Sequence, residues 1–177
     1  MFFSKSTKNW HKNWIKNWVE ALFYAMGVVV FLYFTFWPFE ISGSSMESSF
    51  FRNDRVAISR IMVMINNVQN GDVVICRINT EYGFELSLKR IIASPGDSIT
   101  IKNGMVFLNE NELKEPYLAN TITTGNIDLI LSEDEYFVMG DNRGLSYDSR
   151  HVGVINRNQL VGRVVVKWYP FSSFELF

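Results

Sequence analysis

Histidine and cysteine are nearly absent from this 177-residue chain, which holds two of the first and one of the second. A single cysteine, Cys76, excludes an intrachain disulfide. Its place in the apolar run Asp72-Val-Val-Ile-Cys-Arg-Ile78 marks it as a buried core thiol. The lack of disulfides does not by itself assign a compartment. Neither Cys-x-x-Cys nor His-Glu-x-x-His occurs. A zinc site therefore lacks ligands, and no metal or other cofactor is expected. His11 precedes a long apolar segment and only His151 follows it, so a Ser-His-Asp triad has at most one base available. Surplus charge is missing too: 17 Lys and Arg face 18 Asp and Glu, a net charge of -1. That excludes the basic excess on which nucleic-acid binding usually depends. The length suits one domain with a short anchor rather than two full domains.

Aromatic residues are abundant, at 15%, and many fall in the first 40 positions. Ala21 to Trp37 carries no charge and as a helix would be about 25 Å long. That approaches a bilayer core of about 30 Å, and Val19 and Phe39 can extend it. Pro38 is placed to end the helix. Before the span, Lys-Asn-Trp occurs three times at a spacing of four. On a helix this stacks Trp10, Trp14 and Trp18 on one stripe and Lys8, Lys12 and Lys16 on another. Tryptophan and lysine in this arrangement suit an anionic lipid surface. The expected organisation is a basic, aromatic interfacial helix over 1–18, a transmembrane anchor over 19–38 and an extracytoplasmic domain over 39–177. Lys5, Lys8, Lys12 and Lys16 precede the span, whereas only Arg52 and Arg55 follow within a similar distance. The positive-inside rule then puts the N-terminus in the cytoplasm of a single-pass protein in the cell membrane. A removable signal peptide would need a shorter, less aromatic core and a small-residue cleavage site.

Past residue 54 the pattern is one of short strands. Arg55–Ser59, Asp72–Ile78, Glu85–Ala93, the alternation at Ile99 and Ile101, Met105–Leu108, Tyr136–Met139 and Leu160–Trp168 are separated by turn signals such as Asn70-Gly71 and Asn103-Gly104. Residues 109–132 are polar and are read as a long loop or small insertion. Arg60–Asn67 fits either a short helix or a strand extension. The fold class is mostly β, with antiparallel sheets that are packed or closed, behind an N-terminal transmembrane helix.

Ser-Lys chemistry requires no histidine. A free lysine, with a pKa of about 10.4, becomes a base near neutrality only when burial destabilises its ammonium. In Glu85-Leu-Ser-Leu-Lys-Arg-Ile-Ile-Ala93, strand alternation puts Ser87, Lys89 and Ile91 on one face and Leu86, Leu88, Arg90 and Ile92 on the other. Lys89 is then either a buried base or an edge-strand lysine that blocks aggregation. Serines cluster in Ile41-Ser-Gly-Ser-Ser-Met-Glu-Ser-Ser-Phe50, a stretch that taken alone reads as a linker. Between Tyr136 and Arg150, the residues Asp141, Arg143, Asp148 and Arg150 alternate in sign, as in a loop fixed by ion pairs.

Taken in order, these segments resemble the bacterial type I signal peptidases, in their small single-span Gram-positive form. Gly43-Ser-Ser-Met46 resembles the family's nucleophile box, and Leu88-Lys-Arg-Ile-Ile-Ala-Ser-Pro-Gly-Asp97 its general-base box. Tyr136 to Gly153 resembles its Gly-Asp-Asn-Arg…Ser-x-Asp-Ser-Arg box; Asn70-Gly-Asp-Val-Val-Ile75 and Trp168-Tyr-Pro-Phe171 also fit. The resemblance implies a serine endopeptidase that removes signal peptides from exported preproteins after small residues. Ser45 would be its nucleophile and Lys89 its general base. It implies that Ser146 hydrogen-bonds the Lys89 amine, that Arg90, Asp141, Asp148 and Arg150 support the site, and that the Ser45 backbone N–H binds the oxyanion. Two departures stand out. The nucleophile box usually continues Met-x-Pro-Thr; here it reads Met46-Glu-Ser-Ser49, which loosens the turn and adds a charge. Gly43 stands where some relatives carry a serine that helps bind the oxyanion. The alternative is a weakly cleaving or non-cleaving relative that assists assembly of surface pili. The partners expected are signal peptides of exported preproteins and the lipid bilayer, with a link to pilus or secretion machinery as a further expectation and no nucleic acid. Ser45 lies eight residues after Trp37, at most about 26–29 Å of extended chain, which keeps the site near the membrane face.

Overall fold

A computed structural model describes residues 6–81, 83–118 and 121–177, with side chains for all of these except 6–12 and 34. The chain forms two units, divided between Phe36 and Trp37.

In the first unit, uninterrupted helix-compatible sequence gives one helix, α1 (Ser6–Thr35). Within it Asn13–Tyr33 has a mean hydropathy of 1.5 and no buried residue in its apolar stretch. Trp14 and Trp18 meet edge to face with ring centroids 5.9 Å apart, and Lys16 pairs with Glu20 at 3.8 Å. Lys5 and the side chains of Lys8, Trp10 and Lys12, the rest of the expected stripes, lie outside the described residues. The helix stops at Thr35 rather than at Pro38. Proline bars the residue before it from helical backbone, and Phe36–Glu40 is already a strand, β1.

The second unit is built on two antiparallel sheets. Its strands after β1 are β2 (Arg55–Ser59), β3 (Val73–Thr80), β4 (Gly83–Ala93), β5 (Ser98–Lys102), β6 (Met105–Leu108), β7 (Asn111–Glu112), β8 (Ile127–Ile130), β9 (Glu135–Met139), β10 (Ile155–Asn156), β11 (Leu160–Tyr169) and β12 (Glu175–Leu176). The larger sheet runs β1-β2-β11-β3-β4-β9-β10, with β12 also on β11; the smaller runs β7-β6-β5-β8. Neither closes on itself, so of the expected alternatives the sheets are packed rather than closed. Pro38 lies in β1, an edge strand, where a missing N–H is tolerated.

The apolar run of β3 is continuous because both its faces are covered. Val73 and Ile75 join Ile41, Met46, Phe50 and Leu88, while Val74, Cys76 and Ile78 join Ile91, Tyr136 and Val138. A third cluster seals the small sheet to the large one through Ile92, Phe137 and Met139 against Ile99, Ile101 and Val106. Each such side chain contributes about 1.5–3 kcal/mol by leaving water. The polar stretch 109–132 is more structured than its composition suggests. It supplies β7 and β8, and β8 pairs with β5 through Leu129 opposite Ile99. Arg60–Met64 resolves as a short helix, α2; Ser149–Val152 forms another, α3.

Candidate active site

The serine cluster after β1 is no linker. Ile41, Met46 and Phe50 are buried in the core and pin the turn that carries Ser44 and Ser45. The turn lacks the proline usual at this point, yet it is tied down. Glu47 N–H donates to Ser44 O at 3.1 Å and Phe50 N–H to Met46 O at 2.9 Å. The Ser48 hydroxyl donates to Tyr117 O at 2.7 Å, and the Ser49 hydroxyl to Asp141 Oδ2 at 2.6 Å. Ser48 holds a positive φ of 126°, so these tethers offset some backbone strain. The expected loosening of the turn is therefore absent.

Lys89 lies on β4, which is paired on both sides, by β3 and by β9. The edge-strand explanation of this lysine fails on that topology. The residue is 2% exposed, and its Nζ donates to Ser45 Oγ over 2.8 Å. Burial is the chief reason that its pKa falls below the ordinary lysine value. Arg150 acts in the same direction, against the opposing pull of Cys76, Asp148 and Glu85. Cys76 itself is a buried thiol pushed up to about 12, mainly by burial, and is inert as a nucleophile.

The loop after β9 clamps this pair. Asn142 N–H donates to Ser45 O at 3.0 Å, and its side-chain amide to Ser44 O at 3.2 Å. Gly140 is required by close approach: a Cβ there would collide with Ser146 Oγ and with Ser45 O. Two ion pairs brace the loop. Arg90 grips Asp141 with Nε at 2.9 Å and Nη2 at 2.6 Å, and also reaches Gly71 O at 2.8 Å. Arg150 grips Asp148 with Nε and Nη2, both at 2.9 Å. Burial pushes the Asp148 carboxyl up, but hydrogen bonds from Arg150 and the Gly140 N–H, helped by the nearby Ser146 hydroxyl, outweigh it and hold the pKa below the usual range. Ser146 lies at the site, 5% exposed. Its dipole favours the Asp148 charge, but among the described residues its Oγ has no partner in hydrogen-bond geometry, Lys89 included.

Sequence reasoning missed several members of this cluster. Asn142 and Gly140 sat inside the third box without a role. Glu115 and Thr123, on the stretch read as a loop, hold the buried Arg143 guanidinium, whose Nε donates to Gly140 O at 3.0 Å. Tyr117 lays its ring against Arg90, 4.0 Å from the guanidinium carbon to the centroid. Nothing local marks an acid or an aromatic ring in a polar stretch as buried. His151 has an exposed side chain stacked on Tyr147. Among the described residues no three His, Cys, Asp or Glu side chains converge as a metal-binding group.

In front of Ser45 and Lys89 lies a groove walled by Ser42–Met46, by Glu85–Lys89 on β4, and by Phe39, Ile78, Leu145 and Tyr147. An amine whose pKa is lowered by burial, in contact with a hydroxyl beside a groove, is able once deprotonated to activate that hydroxyl as a nucleophile.

The chain matches the family model described as signal peptidase, peptidase S26, over residues 15–169. It is 33% identical over 153 residues to signal peptidase I P of Bacillus subtilis subsp. natto, covering 80% of this chain and 81% of that one. It is 31% identical over 156 residues to signal peptidase IB of Staphylococcus aureus, covering 78% and 80%. A crystal structure of a signal peptidase I from Enterococcus faecalis V583 aligns with a TM-score of 0.47 at 26% identity, over 54% of this chain and 95% of that one. With the match running from within α1 to the end of β11, the chain belongs to the S26 signal peptidase family.

Proposed function

We propose that this protein is a membrane-anchored serine endopeptidase that removes signal peptides from exported preproteins, with Ser45 as nucleophile and Lys89 as general base. One observation carries the assignment of roles: a lysine buried on a central strand, its pKa lowered by burial, with Nζ 2.8 Å from a serine hydroxyl. In the neutral state the contact reverses its sense, and the Ser45 hydroxyl donates to the amine. Lys89 takes that proton as Oγ attacks the scissile carbonyl, then passes it to the departing amine. Water, deprotonated by the same amine, hydrolyses the acyl-enzyme. The Ser45 N–H, which no acceptor among the described residues occupies, faces the developing oxyanion.

The remaining residues act on geometry. Arg90 with Asp141 and Arg150 with Asp148 hold the loop that docks the Ser45 carbonyl. The unpartnered Ser146 hydroxyl is available to receive the Lys89 ammonium after proton transfer. A groove walled by Ile41, Ile78 and Leu88 suits small apolar side chains next to the cut. The apolar helix α1 inserts in the lipid bilayer with its lysine-rich end in the cytoplasm, which puts residues 39–177 outside. The pilus-assembly alternative gains no residue-level support, since both members of the dyad are present and in contact.

The test is cleavage of a signal-bearing preprotein in detergent or vesicles, with N-terminal sequencing of the product. The expected outcome is a single cut after a small residue, and loss of about 10⁴-fold or more in kcat for Ser45→Ala and for Lys89→Ala. Cleavage that survives either substitution ends the assignment.

A further inference from the structure

Among the described residues, two charged side chains line the groove, Glu85 and Lys89. Strand alternation puts them on the same face of β4, with Ser87 between. The proposed reaction requires Lys89 to be neutral, so in the working enzyme the groove carries one fixed charge, the Glu85 carboxylate. That carboxylate is exposed, and among the described residues it has no hydrogen bond or ion pair, acting on Lys89 through its field. Arg77, the nearby strand cation, sits opposite Leu86 in the β3–β4 register, whereas Glu85 sits opposite Ile78. Arg77 therefore points to the other face and cannot neutralise the acid. Glu47, the acid next to Ser45 in sequence, does not line the groove.

From this placement we infer that Glu85 is a specificity-determining residue, which makes the groove prefer a cationic substrate side chain a few residues from the cut and disfavour an acidic one there. The inference rests on the endopeptidase reading above and adds a charge preference to it. Glu85 and Lys89 are four residue steps apart on the strand, about 13 Å along β4. An extended peptide whose scissile carbonyl sits at Ser45 spans that distance in about four of its own residues. The subsite therefore takes the side chain roughly three to five positions from the scissile bond. The remaining groove lining, outside Glu85 and Lys89, is hydroxyl, backbone or apolar and offers no competing ionic partner.

The experiment uses the full-length enzyme in detergent with a set of signal-peptide substrates. These differ only in carrying Lys, Ala or Glu at one position, three to five residues to either side of the cut. The quantity read is the ratio of kcat/KM for the Lys substrate to that for the Glu substrate, which cancels any general effect of a substitution on activity. Wild type is expected to favour Lys by about tenfold at one of these positions, attraction and repulsion each contributing as for a partly exposed pair. The preference should shrink as salt rises from ~0.1 M to ~1 M, where the screening length falls to ~3 Å. Glu85→Gln should bring the ratio near one, and Glu85→Lys should invert it. A wild-type ratio near one at every position, or a ratio that survives Glu85→Gln, overturns the inference while leaving the peptidase intact. Failure of wild type to cut even the alanine substrates sinks the peptidase reading and the preference with it.

Discussion

A buried lysine is costly, and in the proposed reaction that cost is what makes Lys89 a base. Because burial depresses its pKa below the ordinary 10.5, the neutral base appears at lower pH than for a surface lysine. The pH profile of kcat/KM is therefore expected to rise with pH along an acidic limb whose midpoint lies below 10.5, and Lys89→Arg should erase the limb together with the activity. The same shift is a statement about stability. Between the folded and unfolded pKa values of Lys89, the unfolded state binds more protons, so stability climbs with pH across that window. Lys89→Met removes the penalty. It should raise the melting temperature at pH 7, and its advantage should fade as pH approaches 10.5, a trend differential scanning calorimetry can follow. Asp148 behaves in the opposite sense. Its pKa is held below normal, so its contribution is present above the unfolded carboxylate value and is lost as pH falls through the folded one. The alternation of the β4 segment showed in the sequence that Lys89 had apolar neighbours. It left open whether the strand lay at an edge, because edge and centre differ in pairing and not in local pattern.

The element that matters most is the loop between β9 and α3, which holds the serine turn against β4. Gly140→Ala should be the most damaging one-carbon change here. The added methyl meets both Ser146 and the Ser45 carbonyl, and overpacking of this kind costs about 1–3 kcal/mol. Cleavage should fall far more than a drop of that size in chemical-denaturation stability would account for, since Ser45 itself is displaced. Glu115→Ala tests the contribution of the 109–132 stretch. It strands the Arg143 guanidinium, whose side chain is fully buried, and breaking a buried pair from one side costs about 3–5 kcal/mol; an unfolding midpoint measured in urea checks it. The box from Tyr136 to Gly153 was legible as a set of balanced charges. Its pairing was not, because ion-pair partners such as Arg90 and Asp141 are separated by 51 positions along the chain, and Glu115 reads like any solvated acid.

For the molecule as a whole, the β unit has its own three-part core, drawn among the described residues from positions 39–177. A protein beginning at Phe36 should therefore fold and cut short soluble peptides at close to the full-length rate. On a vesicle-embedded preprotein it should lose at least about tenfold, because the anchor's effect is to raise effective concentration at one surface. Equal loss on both substrates would refute that division of labour. The sequence by itself determined what depends on local pattern: an apolar helix long enough for a membrane, a succession of strands, a lysine in an apolar run and a serine cluster. Periodicity and composition are properties of neighbouring residues, so they survive in one dimension. Only the tertiary structure decided that β4 is central, that the sheets stay open, that Ser146 finds no hydrogen-bond partner among the described residues and that Glu115 closes over Arg143. Each of these depends on which distant segments share a face, and it is the packing of three separate clusters that brings such segments together.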